Sequence, residues 1–418
     1  MSRPVRSLTV LQHWDCQSCT HCCREYRVYV SDDERQCLVA LDWSAEADLA
    51  GLALVVREGP TWQPRFRLQQ RADGACVFLG PQGRCRIHER FGSEAKPFAC
   101  RMYPFVLAPG GNDWRVGLRF SCPAAAQDQG RPVTDHADEV REFARLLERM
   151  QPTTDMPEPP PLQLGQTVAW PDFLRFVDAL LVILRSRGEP LERRWRTCLA
   201  LASLCRQAKF EQVQGKRLQE FLALVGGDLD AEVPEDPGAV PAPSWIGRVL
   251  FRQTLAVLIR KEVGPEQGSA TRSRVGLLRA AWRFARGTGM VPALHAALPA
   301  CTFEQLETPL GPLPAEAEAI LERYYLAKLE SLQFCGAANF GLPLWSGLAS
   351  LALTLPAILW LVRALAELPR AEAVSRAVRI VDHNFGYHPQ LDGRFRRFVL
   401  QTLLARGELE RLIAWYAR

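Results

Sequence analysis

The sequence has little lysine and none of the short motifs that mark the common nucleotide-binding and hydrolytic enzymes. Only five lysines occur among 418 residues, so arginine supplies nearly all of the positive charge, and the formal net charge is +5. No dense run of Lys and Arg occurs, so we expect no nucleic-acid partner. The P-loop, HExxH and GxSxG patterns are also missing, which argues against P-loop enzymes, common zinc peptidases and α/β-hydrolases.

Long apolar segments are equally scarce. The first residues, MSRPVRSLTVLQHWDC, contain no apolar stretch of the kind that a secretory signal needs. One uncharged run, residues 331–362, is long enough to raise the question of a membrane span. Because Asn339, Pro343 and Pro356 interrupt this run, we interpret it as a buried helix and expect no membrane span. We therefore expect a cytoplasmic protein, in which clustered thiols stay reduced and point to metal binding.

The overall composition is that of a globular protein. Hydrophobic residues make up 48% and charged residues 23%, which excludes a disordered polymer, a collagen-like fibre and a small disulfide scaffold. Three stretches differ in character: residues 1–125, the connector 126–168, and residues 169–418. The prediction is an α+β protein with a small Cys-rich metal-binding domain first and a mostly all-α domain last.

Local patterns predict the elements of these stretches. Ser31 followed by Glu34 is a capping-box signature, which predicts a short helix through about Asp42. Strand-like runs in the first stretch cover residues 26–30, 52–56, 65–68, 77–79 and 114–120. The connector contains one predicted helix, His136–Met150, and the proline-rich segment from Pro152 to Pro161. Helical spacing then recurs up to the C-terminus, with later candidates at residues 245–261, 272–287, 314–332, 344–367, 371–384 and 395–417.

Cysteine is the residue type that the sequence concentrates in one place. Nine of the 13 cysteines lie in the first 122 residues. Four of them form a C-x2-C-x2-C-C motif, a spacing that lets neighbouring thiolates turn toward one ion. Core packing rarely places four thiols within eight residues, so this motif predicts a metal site at Cys16, Cys19, Cys22 and Cys23.

A second set of cysteines is more widely spaced. We predict that they are further ligands of the same site or of a second one: Cys76, Cys85, Cys100 and Cys122. Eight thiols exceed the four ligands of one zinc ion or one iron–sulfur cluster, so either two sites exist or some thiols only surround the site. Tyr26 occupies the position at which the radical S-adenosylmethionine motif C-x3-C-x2-C and the ferredoxin run would each need a cysteine.

The other cysteines and the histidines carry weaker signals. Helical contexts favour core thiols at Cys37, Cys198, Cys205, Cys301 and Cys335. His21 and His88 lie near motif cysteines and either bind the metal or a cluster sulfur, or are solvated or capping residues. His383 and His388 either line a substrate cleft or are ordinary surface histidines, which is the more frequent case.

The cysteine pattern resembles a known family. The motif at residues 16–23 is followed by Cys76-Val-Phe-Leu79, Cys85-Arg-Ile-His88, the run Lys96-Pro97-Phe98-Ala99-Cys100-Arg101-Met102-Tyr103-Pro104, and Ser121-Cys122-Pro123. Together these residues resemble the YkgJ-type cysteine-cluster family, with its zinc- or iron-chelating domain. The chain length and helical C-terminal half are similar to the flagellin lysine-N-methylase branch. The eight cysteines are carried over as ligands, and Arg101 and Pro104 as packing residues.

The resemblance implies a metal centre, preferentially a [4Fe–4S] cluster and otherwise zinc. It also implies methyl transfer from S-adenosylmethionine to a lysine of a protein substrate such as flagellin. The residues themselves identify no catalytic base and no cofactor site, because no GxGxxG follows a strand and Tyr324-Tyr325 are explained by helix packing. The alternative function is a non-catalytic zinc- or iron-binding module for metal handling or partner docking.

Overall fold

The computed structural model describes residues 3–6, 8, 12–150, 157–210 and 213–418. Within these ranges the strands all precede residue 133, and helices make up most of the chain beyond it. The α+β class is therefore confirmed, with a Cys-rich N-terminal region and a mostly helical C-terminal region. Of the proline-rich segment, residues 152–156 lie outside the described residues. The domain boundaries at residues 125 and 168 stay predictions.

The described strands are short and form three small sheets. β1, β7 and β6 make the first, in which β1 is parallel to β7 and β6 is antiparallel to it. β2 pairs with β8, and β3, β5 and β4 form an antiparallel sheet in that order. Their bounds are β1 Val5–Arg6, β2 His13–Trp14, β3 Tyr29–Val30, β4 Val55–Glu58, β5 Arg65–Leu68, β6 Phe105–Pro109, β7 Trp114–Leu118 and β8 Arg131–Pro132.

The strand predictions are partly wrong. No strand covers residues 77–79, where only isolated bridges occur at Cys76 and Leu79. The Arg71 guanidinium donates to the carbonyls of Val77 and Leu79 at 2.8 and 2.7 Å, so a side chain satisfies backbone groups that a sheet would otherwise pair. Only the last two residues of the strand predicted at residues 26–30 form β3, and the sequence predicts no strand where β6 lies.

In the part of the N-terminal region that the structure describes, five α-helices lie among the strands and a sixth follows β8. The capping box is confirmed, since Ser31 Oγ accepts from Glu34 N at 3.2 Å and Glu34 Oε2 accepts from Ser31 N at 2.8 Å. The other carboxylate oxygen of Glu34 accepts from Phe98 N at 2.7 Å and so caps α4 as well. The helices are α1 His21–Glu25, α2 Asp32–Ala40, α3 Arg86–Phe91, α4 Phe98–Met102, α5 Pro123–Ala126 and α6 Ala137–Met150.

Twelve helices form the described part of the C-terminal region and share one apolar core. Each contributes buried side chains to it, and Trp195, Trp345 and Trp360 are among the largest. The helices are α7 Trp170–Arg185, α8 Leu191–Gln207, α9 Lys216–Glu232, α10 Trp245–Leu258, α11 Arg274–Arg286, α12 Phe303–Leu306, α13 Ala315–Glu330, α14 Leu344–Ala352, α15 Thr354–Ala364, α16 Arg370–Asn384, α17 Arg394–Ala405 and α18 Glu408–Ala417.

The long uncharged run forms α14 and α15 in the middle of this core. Residues Leu344–Ala364 have a mean hydropathy of 1.7, enough to cross a membrane, but 94% of that window is buried inside the protein. The helix breaks at Leu353 because Pro356 has no N–H to donate to the carbonyl of Ala352. The interpretation as a buried core helix is confirmed.

The two regions pack closely against each other. Gly117 on β7 faces the turn after α13, and a Cβ at this position would lie 2.4 Å from Gln333 Nε2. Only glycine permits this approach without displacing the turn. Arg115 donates to the Glu330 carbonyl at 3.1 Å, and Arg323 donates to the Ala126 carbonyl at 2.6 Å. These contacts hold β7 and α5 of the N-terminal region against α13.

Candidate metal centre

Cys16 and Cys19 lie in a tightly wound loop that leads into α1. Ser18 and Thr20 in this loop have φ values of 50° and 62°, a left-handed conformation that non-glycine residues seldom adopt. Gly83 of a second loop packs on it, and a Cβ there would lie 3.2 Å from Thr20 Cγ2. Both cysteines are exposed. The loop therefore holds two thiols on the outer rim of the candidate site.

Cys22 and Cys23 lie on α1 and face the interior. Their sulfur atoms are 3.9 Å apart, and both residues are half-buried. The Cys76 amide donates to the Cys23 carbonyl at 2.7 Å, which fixes the backbone at Cys76 beside the motif. The first three inward-facing thiols are thus placed by one backbone hydrogen bond between segments that lie 53 residues apart in sequence.

Cys85 and Cys100 reach the same neighbourhood from two helix N-termini. Cys85 precedes α3, and Cys100 lies on α4, the helix that Glu34 caps. Together with Cys76 they pack against the apolar cluster around Val77, Phe78 and Ile87. The capping box that the sequence shows at α2 therefore also positions the helix that carries a predicted ligand.

Cys122 has a different environment from the other predicted ligands. It is buried, immediately precedes α5, and belongs to a separate apolar cluster with Phe105, Val116 and Phe143. Burial raises the pKa of its thiol, and the amides of Ala125 and Ala124 at the start of α5 oppose that rise. Cys122 is thus more deeply buried than Cys16 and Cys19, and its thiol interacts electrostatically with that of Cys22.

The sulfur atoms of the inward-facing cysteines are not all close enough to one another to bind a single ion. Among the described residues, no three cysteine sulfur atoms lie within 4.8 Å of one another. Tetrahedral Zn–S bonds of about 2.3 Å require sulfur atoms about 3.8 Å apart, a spacing that the Cys22–Cys23 pair matches. Among the described residues, no third cysteine sulfur atom lies within 4.8 Å of both members of this pair.

Burial keeps these thiols protonated when no cation is present. The neighbouring Cys23 and burial raise the pKa of the Cys22 thiol. Burial raises the pKa of Cys76 to about 11 and that of Cys100 further still. Lys96 opposes the rise at both Cys22 and Cys100. A metal ion supplies the positive charge that such thiolates need, so metal binding releases protons here.

The cysteines outside the predicted metal site are either core thiols or exposed. Cys198, Cys205 and Cys335 are buried in the helical core, which confirms them as core thiols, and half-buried Cys301 packs against that core. The interpretation of Cys37 as a core thiol is wrong. It is exposed on α2, because Leu38 is the residue of this helix that turns inward.

The histidines differ from one another in their environments. His88 is exposed on α3, and His388 caps the turn that follows α16. His383 is not a surface residue. Its ring stacks on Tyr26 with centroids 5.1 Å apart, its Nδ1 lies 3.2 Å from Tyr26 Oη, and its Nε2 lies 3.2 Å from Lys261 Nζ. His383 therefore lines an interior polar site, so the interpretation as an ordinary surface histidine is wrong for this residue, and a substrate cleft stays a prediction.

A continuous polar network joins the cysteine region to the helices. Tyr26 Oη donates to Ser121 Oγ at 2.9 Å, and the Ser121 amide donates to Asp382 Oδ2 at 2.9 Å. Asp382 is fully buried and pairs with Lys328 at 2.5 Å. Arg119 Nε lies 3.6 Å from the same carboxylate, and its guanidinium covers the Tyr387 ring. Tyr26, three residues after Cys23, and Ser121, next to Cys122, are thus hydrogen-bonded to α16, and Asp382 of α16 pairs with Lys328 of α13.

A small cavity lies beside α1 on the other side of Tyr26. Its volume is about 20 Å³, enough for one or two water molecules or a small ion. Burial and nearby cations lower the pKa of His21 and of His295 to about 3, so both rings are neutral at pH 7. Lys261 forms a buried ion pair with Glu25 at 2.8 Å. The lining consists of His21, Lys261, Glu266, His295, Ala297, Arg376, Arg379, Ile380 and His383.

Sequence reasoning missed most of this cavity and of the polar network. Of their residues it considered only His21 and His383 as functional, and it mentioned Tyr26 and Ser121 only as members of a predicted strand or of a motif comparison. Lys261, Asp382 and the arginines of α16 come from segments with no local motif, separated from the cysteines by more than 130 residues. No signal in a single sequence predicts that α1 packs against α16. Helical periodicity indicates which face of a helix is buried, but not which other element that face contacts.

Comparison with known proteins identifies the cysteine region. Residues 15–128 match the CxxCxxCC family model, described as "putative zinc- or iron-chelating domain", and this range contains all eight predicted ligands. This chain is a metal-binding cysteine-cluster protein. The match specifies no branch of that family, and residues 129–418 lie outside it. No curated protein and no solved structure matches the chain.

Proposed function

We propose that the metal-binding cysteine-cluster protein holds an iron–sulfur cluster, preferentially [4Fe–4S]. The observation that carries the proposal is the spacing of the inward-facing thiols, since among the described residues no three lie within 4.8 Å. A lone tetrahedral zinc ion needs closer sulfur atoms, whereas four thiolates around an iron–sulfur cluster stand farther apart. The proposed ligands are Cys22, Cys76, Cys85 and Cys100, whose thiols influence one another electrostatically. Cys22 also interacts with Cys23 and with Cys122, which are the next thiols to test.

The experiment is anaerobic purification followed by a visible spectrum and counts of iron, sulfide and zinc. A brown protein with about four iron and four sulfide supports the proposal. The variants Cys22→Ser and Cys100→Ser should each lose most of the iron. Cys37→Ser is the matched control, because Cys37 is an exposed thiol on the outer side of α2. A colourless protein with one or two zinc ions would replace the proposal with a non-catalytic docking or metal-handling module.

A second proposal concerns catalysis. The resemblance in cysteine pattern, length and helicity supports methyl transfer from S-adenosylmethionine to a protein lysine, with flagellin as the substrate to test first. The reaction forms a nitrogen–methyl bond and releases S-adenosylhomocysteine and a proton. A cytoplasmic location is part of this proposal, because thiols stay reduced in the cytoplasm. Incubation of iron-loaded protein with flagellin and isotope-labelled S-adenosylmethionine tests it, and absence of label from lysine in a verified iron-loaded sample contradicts it.

A further inference from the structure

An arginine without a protein partner faces the small cavity beside α1. Arg376 is half-buried on α16, and its guanidinium makes no hydrogen bond or ion pair with any residue that the structure describes. It interacts electrostatically with His295 across the cavity. A guanidinium in that position has five N–H donors and no acceptor within the described protein to receive them.

A second arginine presents a buried donor to the same cavity. Arg379 lies three residues further along α16, so it shares a face of the helix with Arg376. One terminal nitrogen of Arg379 lies 3.3 Å from His21 Nδ1. Its Nε is buried and has no hydrogen-bond partner among the described residues. A buried N–H without an acceptor costs free energy, and a bound acceptor would remove that cost.

The two imidazole rings at the cavity offer N–H hydrogen-bond donors rather than free lone pairs that could bind a metal ion. Arginine can only donate, so His21 Nδ1 accepts from Arg379 and the ring carries its proton on Nε2. The Ala297 amide donates to His295 Nδ1 at 3.2 Å, so His295 also carries its proton on Nε2. Each neutral ring has one lone pair, and in both rings a hydrogen bond already uses it.

The carboxylates at the cavity do not neutralise the two arginines. Glu25 pairs with Lys261 at 2.8 Å, and both side chains are almost fully buried. Glu266 lies 3.7 Å from His295 Nε2, the ring nitrogen that carries the proton. Two guanidinium groups therefore face one carboxylate that is not already paired with a cation, and the cavity keeps an excess of positive charge.

We propose that this cavity binds the oxyanion group of a small ligand, a carboxylate or a phosphate. Two guanidinium forks on one helix face match the geometry of such groups, which accept paired N–H bonds. The cavity of about 20 Å³ admits the anionic group only, so the rest of the ligand extends outward. The site does not depend on the metal that the cysteines hold, although His21 of α1 contributes to its lining.

A divalent cation is the competing occupant. His21, Glu25 and Glu266 each offer one ligand atom, and these atoms lie within 4.8 Å of one another. Binding there would require His21 to release Arg379 and Glu25 to release Lys261, which would leave two buried cations beside a third. The Lys261 ammonium already occupies the cationic position next to Glu25, so the arrangement favours an anion.

The test is calorimetric titration of the purified full-length protein with potassium phosphate and with sodium acetate at constant ionic strength. We expect saturable binding of one equivalent of at least one anion. Arg376→Gln should weaken it at least tenfold without changing the thermal midpoint, since Arg376 has no partner to lose. Arg376→Lys keeps the positive charge but loses the paired N–H donors of the guanidinium, so its anion affinity should lie between those of the wild type and Arg376→Gln. Phosphate binding alone indicates a phosphorylated ligand, and acetate binding alone indicates a carboxylate.

Arg279→Gln is the matched control, because Arg279 is an exposed arginine on α11 and its loss changes the net charge equally. It should alter the affinity less than twofold. The proposal is overturned if neither anion saturates, if both glutamine variants weaken binding equally, or if Mn²⁺ binds one equivalent and binds more tightly to Arg376→Gln. Iron and sulfide counts on the same samples keep this result separate from the iron–sulfur proposal, which stands or fails on those counts alone.

Discussion

The cysteine region and the helical region of this protein are stabilised in different ways. The helices from α7 to α18 share one continuous apolar core. The cysteine region has two small clusters of eight and seven buried residues, and several of its strands are two residues long. Apolar burial is roughly proportional to stabilisation, so the helical region can fold on its core alone. The cysteine region needs its metal to reach comparable stability.

Metal removal should give the largest difference between the two regions. Binding of a structural metal by thiolates supplies on the order of 10 kcal/mol of folding free energy. We therefore expect chelation to expose the amides of β3, β4 and β5 to exchange, while those of α14 and α15 stay protected. Hydrogen exchange followed by mass spectrometry measures both in one sample. Equal loss of protection in both regions would show that they are not separately stabilised.

Removing the buried carboxylate between the regions should have the next largest effect. Asp382→Ala leaves Lys328 and Arg119 as buried cations without their anion. Loss of one partner of a buried pair costs about 3–5 kcal/mol. Chemical denaturation measures this cost, and both regions should be destabilised together because Asp382 contacts both. Glu235→Ala, at an exposed residue, is the control and should change stability by less than about 0.5 kcal/mol.

Acid should destabilise the protein through the cavity that lies between the regions. The pKa of His295 is lowered to about 3 by burial and by nearby cations. Below about pH 6.5 the unfolded chain binds a proton at this residue and the folded chain does not, so the free energy of unfolding falls as the pH drops toward 3. The loss is up to about 1.4 kcal/mol per pH unit.

The variant His295→Gln isolates this contribution. Its free energy of unfolding, measured between pH 6.5 and 4, should depend on pH less steeply than that of the wild type, by up to one bound proton. Above pH 7.5 the two slopes should coincide, since neither state binds the proton there. An unchanged slope at acid pH would mean that the imidazole is protonated in the folded protein.

The smallest expected effect comes from removing one helix cap in each region. Ser31 caps α2 in the cysteine region, and Ser273 caps α11 in the helical region. Replacement of either by alanine should cost about 1 kcal/mol. Only Ser31→Ala should also weaken metal retention, because its partner Glu34 caps α4, which carries Cys100. Equal metal retention in the two variants would show that Glu34 holds α4 without help from Ser31.

The sequence by itself determined the elements whose cause is local. The Cys16–Cys23 spacing, the Ser31–Glu34 cap and the helical periodicity after residue 169 each act within a few residues, so the α+β class and the presence of a metal-binding cysteine region could be predicted. The match at residues 15–128 supports the same metal-binding region. Residues 77–79 show a limit of such local patterns, because the side chain of Arg71, six to eight residues earlier, donates to the Val77 and Leu79 carbonyls in a segment predicted as a strand.

Only the tertiary structure decided which distant residues meet. Cys122 is buried in a separate apolar cluster, and Cys37 points outward, although both are the same residue type as the inward-facing thiols. The packing of α16 against α1 places Arg376, Arg379 and His383 beside the cysteine motif. A single sequence does not show which segments hundreds of residues apart are in contact. Such contacts depend on how whole helix faces pack and on which buried charges pair with one another.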